Sequence, residues 1–132
     1  MNLSIQNIKN KTSAYFSIRN EIKFAYLFGS RARNEANKKS DIDIAILIDK
    51  SLLKKNDYPY GYKAKILTDL LKIFSINDLD LVILNDASPL LRHRAVYFGK
   101  LIYCQAEKER IEFQVKTLNE YNDVKRLLSL HY

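Results

Sequence analysis

One cysteine, three glycines and two prolines stand among 132 residues. The single Cys104 excludes an intramolecular disulfide framework and a cysteine-built zinc site. The scarcity of glycine and proline excludes collagen-like, linker-rich and low-complexity character. No apolar run approaches the roughly 18 residues of a membrane span, and the opening MNLSIQNIKN is too polar for a secretory signal. These absences lead to the expectation of a reduced, cytoplasmic protein. What is present is ordinary for a folded domain: 47% hydrophobic and 28% charged residues give enough apolar surface to offset ordering, which excludes disorder. The length suits one domain spanning residues 1–132.

Twenty-two basic residues outweigh fifteen acidic ones, a net charge of +7. This excess favours anionic partners (nucleic acid, nucleotides or an acidic protein) without choosing among them.

Hydrophobic periodicity alternates along the chain. Ile5, Ile8, Thr12 and Tyr15/Phe16 keep helical spacing, so residues 3–19 are expected as a helix. IKFAYLF at 22–28 reads as a buried strand ending at Gly29-Ser30. A polar stretch, 31–40, separates it from a second strand at 41–48, DIDIAILI. Tyr62, Ile66, Leu70 and Ile73 predict a helix over 58–74, and LDLVIL at 79–84 a third buried strand. Ser88-Pro89 suits the N-cap and first position of another helix, with Gly99 placed to end it. A short strand at 101–104 and a helix over 106–129 complete the chain, the latter with Ile111, Val115, Leu118, Tyr121 and Leu128 on one face. The expected class is α/β or α+β: a small mixed sheet flanked by helices.

The chemistry concentrates in LFGSRAR at 27–33 and SDID at 40–43. Gly29 lets the backbone approach an anion closely. Amides after it and the Ser30 hydroxyl can then face a phosphate, with Arg31 and Arg33 adding positive charge. Asp41 and Asp43 lie two residues apart on a strand, so both carboxylates project from one face. Like charges on an apolar strand repel and lose solvation, which makes physical sense if a cation joins them. Hard oxygen ligands with no nearby Cys or His favour Mg²⁺ completed by phosphate oxygens. A third carboxylate would complete a two-metal site for in-line nucleotidyl transfer and help deprotonate an attacking hydroxyl. Asp78, Asp80 and Asp86 surround the third strand. Asp80 is chosen because it lies within the apolar run, where an unpaired acid is costly; Asp78 shares its face by parity and stands as the alternative.

GSRAR followed by SDIDIAI, with the later LDLVIL, closely resembles the DNA polymerase beta-like nucleotidyltransferase superfamily. The chain is similar to its minimal MNT-type members, and ASPLLRHRAVYFGKLIYC and YNDVKRLL extend the likeness over most of the chain. The resemblance implies the polymerase beta-like fold. It implies that Gly29 and Ser30, with Arg31, Arg33 and Ser40, hold the nucleotide phosphates. Asp41, Asp43 and Asp80 would be the catalytic, Mg²⁺-binding carboxylates. The family often has Gly where this chain has Asn34, a residue that tolerates left-handed backbone.

MNT-type proteins are commonly antitoxins paired with a HEPN-domain RNase toxin, to a tyrosine of which they transfer AMP from ATP. The resemblance therefore implies a protein adenylyltransferase antitoxin with ATP as substrate. Two alternatives stand beside it. One is a non-catalytic antitoxin acting by binding, against which three costly carboxylates argue. The other is a transferase acting on a small molecule or RNA, against which the short length argues. A basic surface would suit ATP, an acidic partner and RNA alike, direct nucleic-acid binding being the less favoured.

Other residues carry bland readings. His93 is expected as an exposed helical histidine, with the roles of neighbouring Arg92 and Arg94 open, and Cys104 as a core residue rather than a nucleophile. Tyr58, Tyr60 and Tyr62 cluster without an assigned role, and the last helix faces either its own sheet or a partner helix.

Overall fold

A computed structural model describes residues 4–29 and 42–130. Its elements are α1 (Ile5–Phe16), β1 (Ile22–Phe28), β2 (Ile42–Ile48), α2 (Tyr62–Phe74), β3 (Leu79–Ile83), α3 (Pro89–Phe98), β4 (Lys100–Cys104) and α4 (Glu107–Ser129), with short 3-10 turns at Lys50–Leu52, Lys55–Asp57 and Leu84–Asp86. The strands form one mixed sheet in the order β3-β2-β1-β4. β1 runs antiparallel to β2 and β4, while β2 and β3 are parallel. The α+β class expected from the alternation is the observed one. No helix among the described residues is long and apolar enough to cross a membrane.

The two central strands explain their own composition. β1 and β2 are covered on both faces, so they read as near-continuous apolar runs. α1 and α2 press Ile8, Phe16, Ile66, Leu70 and Phe74 onto one face of the sheet. α3 and α4 cover the other, where Phe24, Tyr26 and Ala45 meet Leu84, Ala95 and Phe113. Local chemistry sets the helix ends. The Ser4 hydroxyl oxygen accepts from the Asn7 amide at 3.1 Å and starts α1. The Ser88 hydroxyl accepts from the Leu91 amide at 3.2 Å, with Pro89 in the first helical position.

Four expectations are corrected. The strand at 79–84 is an edge strand that ends at Ile83, because Leu84 opens a 3-10 turn. The helix expected from residue 58 begins at Tyr62, since Lys55–Asp57 and the Pro59-Tyr60 turn precede it. α4 does not pack through Ile111, Val115 and Leu118, which are exposed. It packs through Phe113, buried Thr117 and Tyr121. The reason lies on α3, which offers polar and aromatic groups rather than an apolar stripe. Arg92 pairs with Glu120 at 3.4 Å and lies over the Phe113 ring. The His93 ring, expected to be exposed, is half-buried and stacks on Tyr121 at 3.6 Å between centroids. Burial, and then the charge of Lys125, lowers its pKa.

The clustered tyrosines are partly structural. Tyr62 donates to buried Glu21 at 2.8 Å, Arg19 donates to the same carboxylate at 2.9 Å, and Tyr58 packs edge-on against Tyr62. Tyr60 is exposed. Cys104 is half-buried, and burial pushes its thiol pKa up, which keeps it protonated and a poor nucleophile.

Gly99 ends α3 in extended backbone, so a left-handed cap is not its purpose. A Cβ there would overlap the Ala95 carbonyl oxygen and lie 2.8 Å from that of Leu27. Glycine lets the α3–β4 corner close against β1. Gly99→Ala is expected to cost about 2–3 kcal/mol of stability, read as a lowered midpoint in urea denaturation; an unchanged midpoint would show that the corner relaxes freely.

Candidate active site

The sheet's pairing brings the candidate residues together at one end. β1 ends at Phe28, opposite Asp43 in the antiparallel register with β2. On the other side, Asp43 stands level with Asp80 in the parallel register of β2 with β3. Two carboxylates thus sit on neighbouring strands about 4.8 Å apart. Asp43 follows the parity of Ala45, and Asp80 that of Val82, so both project from the face that α3 covers. They open into a cleft of about 790 Å³ that Gly29, Leu91, Arg94 and Phe98 also line.

Gly29 has a left-handed φ of +77°. A Cβ at this position would overlap the Asp43 carboxylate and lie 3.3 Å from its Cγ. Only glycine therefore lets the chain leave β1 across the Asp43 side chain.

Of the residues expected in the site, Gly29, Asp43 and Asp80 line this one cleft. Ser30, Arg31, Arg33, Ser40 and Asp41 lie outside the described residues. Asp78 precedes β3 and is exposed, and Asp86 is tied to Lys50 at 2.6 Å. Desolvation does not single out Asp80, however. It is exposed rather than buried, because β3 is an edge strand and its start opens to the cleft. Register with Asp43, not desolvation, distinguishes it from Asp78.

The arginines left open now separate. Arg92 donates to the carbonyl oxygens of Leu84 at 2.8 Å and Asn85 at 2.7 Å, pinning α3 to the exit of β3. Arg94 is exposed and lines the cleft. Lys63, in the first turn of α2, and Phe98 line it too and were not foreseen. The available signal was the spacing of Leu91, Arg94 and Phe98, which places an arginine in an otherwise apolar helical stripe.

The donor set fits a hard cation. Mg²⁺ is usually held by one or two carboxylates and completed by water and phosphate oxygens, and Asp43 with Asp80 supplies that pair. Among the described residues no group of three or more His, Cys, Asp or Glu converges.

Residues 10–108 match the polymerase beta nucleotidyltransferase domain. The chain belongs to that family. This nucleotidyltransferase is 32% identical over 109 residues to the protein adenylyltransferase MntA of Aphanizomenon flos-aquae, covering 80% of this chain and 73% of the relative. It is 31% identical over 101 residues to the protein adenylyltransferase MntA of Shewanella oneidensis, covering 76% and 67%. Its fold superposes with a TM-score of 0.72 on a chain from a crystal structure of a toxin–antitoxin with AMP-PNP, at 26% identity, covering 92% of this chain and 93% of that one.

Gly29→Ala is expected to displace the Asp43 carboxylate and lower nucleotidyl transfer by about 100-fold, the usual effect of an ångström-scale misplacement. Steady-state turnover, with circular dichroism to verify folding, measures it; wild-type turnover would show that Asp43 tolerates the shift.

Proposed function

We propose that this nucleotidyltransferase is a protein adenylyltransferase that transfers AMP from ATP to a tyrosine of a partner HEPN-type toxin and so acts as its antitoxin. The observation that carries the reading is the level pairing of Asp43 with Asp80 beside Gly29 in one open cleft. The likeness to two protein adenylyltransferases over more than three quarters of the chain supports AMP as the group transferred and protein as the acceptor. The toxin–antitoxin neighbour with AMP-PNP supports a toxin partner and an adenine nucleotide.

Mechanistically, Gly29 allows the chain to pass close to the nucleotide phosphates, and Ser30, Arg31, Arg33 and Ser40 would add hydroxyl donors and positive charge. Asp41, Asp43 and Asp80 would hold Mg²⁺, which when bound polarises the phosphate and neutralises its charge. The tyrosine oxygen attacks the α-phosphorus in line. The bond from that phosphorus to the pyrophosphate oxygen breaks, and the electron pair leaves with pyrophosphate. Asp80, exposed at the start of the edge strand, would take the phenolic proton and pass it to solvent. Each transfer adds a bulky anion to the partner, which would repel and obstruct RNA phosphates at a nearby nuclease site. The reading places the protein in the cytoplasm, where ATP is available, and treats residues 1–132 as one catalytic domain.

Asp43→Asn and Asp80→Asn are each expected to cut transfer by at least about 100-fold, the scale of a lost transition-state charge contact. Intact-mass spectrometry of the partner with ATP and Mg²⁺ would read a gain of one or more AMP units with wild-type enzyme and none with either variant. A neutralised partner without mass gain would replace catalysis by inhibition through binding.

A further inference from the structure

Arg94, like Lys63, lines the cleft without a task in the transfer described above. Leu91, Arg94 and Phe98 follow one another at spacings of three and four along α3 and all line the cleft. Asp43 and Asp80 project from the sheet face that α3 covers, so the guanidinium enters from the wall facing the carboxylates. Lys63 of α2 lines the same cleft, while the other basic residues nearby are committed. Arg92 binds two carbonyl oxygens and Glu120, and on α2 Lys65 pairs with Asp69 at 3.2 Å. Arg94 is exposed and makes no hydrogen bond or ion pair with a described residue.

Its backbone is nevertheless held firmly. Ser88 caps the start of α3, Arg92 ties its first turns to the exit of β3, and His93 stacks on Tyr121 of α4. At the far end, Gly99 lies against the Leu27 carbonyl. A fixed helix thus presents a cation without a carboxylate partner to a cleft whose other wall is acidic. That arrangement fits an extended anion, which the guanidinium attracts and the carboxylate wall repels.

We propose that Arg94 grips the β- and γ-phosphates of the nucleotide from the α3 side, leaving the α-phosphate to Asp43 and Asp80. The proposal rests on the nucleotidyl-transfer reading of the same cleft. Carboxylates repel a triphosphate, so its β- and γ-phosphates call for positive charge, and Arg94 would add to that of Arg31 and Arg33 from the wall facing the carboxylates. A guanidinium matches two phosphate oxygens in its planar fork, which an ammonium cannot do. Charge grows on the pyrophosphate as its bond to the α-phosphorus breaks. A contact there strengthens towards the transition state and raises kcat as well as affinity. Arg94 is then a phosphate-binding residue that also selects triphosphates over monophosphates.

The test is calorimetric titration of wild type, Arg94→Met and Arg94→Lys with ATP, pyrophosphate and AMP in Mg²⁺, alongside thermal unfolding. Arg94→Met is expected to weaken ATP and pyrophosphate by about 10- to 100-fold, the scale of a lost hydrogen bond between charged groups. AMP affinity should stay within about twofold if the contact spares the α-phosphate. Arg94→Lys should recover part of the loss, and the unfolding temperature should not move. Unchanged ATP and pyrophosphate affinity in Arg94→Met would overturn the proposal. An equal loss for AMP would overturn it too, by placing the contact on the α-phosphate. Binding is read without turnover, so the two readings fail separately. A wild type that binds these ligands through Arg94 but modifies no protein defeats the functional reading alone. Normal protein modification with no effect of Arg94→Met on binding defeats this one alone.

Discussion

The whole site depends on β2 being gripped from both sides. Its antiparallel pairing with β1 sets Asp43 opposite Phe28, and its parallel pairing with β3 sets Asp43 level with Asp80. A slip of one residue in either ladder would turn a carboxylate into the opposite hydrophobic layer. The apolar residues that flank Asp43 therefore have a second role besides burial. Ile42, Ile44 and Ile46 anchor in the layer beneath α1 and α2, and in doing so they hold the carboxylate on the other face. Gly29 completes the constraint, since any side chain there would take the space of the Asp43 carboxylate.

The two helical layers divide the remaining work. α1 and α2 supply the thicker apolar core, with Phe16, Leu70 and Phe74 fully buried. α3 and α4 meet each other through a more polar contact, in which Arg92, His93, Glu120 and Tyr121 take part. That contact leaves Arg94 and Phe98 to face the cleft while fixing the helix that carries them. The site is thus built from strand ends on one wall and a pinned helix on the other.

Much of this was legible in the chain because the signals were local. The alternation of apolar runs with helical stripes marked four strands and four helices, and Ser88-Pro89 marked the start of α3. The Asp-x-Asp after a Gly-Ser turn pointed to the chemistry. What depends on long-range packing was not legible. Leu79–Leu84 has the composition of a buried strand, yet its position at the sheet edge exposes Asp80. The Ile111, Val115 and Leu118 stripe is the most apolar face of α4, yet the helix turns Phe113, Thr117 and Tyr121 inward, because α3 presents an arginine and a histidine that need an acid and an aromatic. Lys63 had no motif to mark it and Phe98 only its helical spacing from Leu91 and Arg94; the path of α2 and α3 brings both to the cleft.

The sheet register sets Asp43 and Asp80 side by side, and on the proposed function they hold one cation as a pair. The most direct measurement is titration of the full chain with Mn²⁺ as a spectroscopic stand-in for Mg²⁺, read by electron paramagnetic resonance in the presence of AMP-PNP. Nucleotide-dependent binding is expected in the wild type, weakened by about tenfold or more in Asp43→Asn and equally in Asp80→Asn, the range seen when support for a metal ligand is lost. Wild-type Mn²⁺ binding in Asp80→Asn would contradict it, because the register would then bring together two carboxylates that do not share an ion.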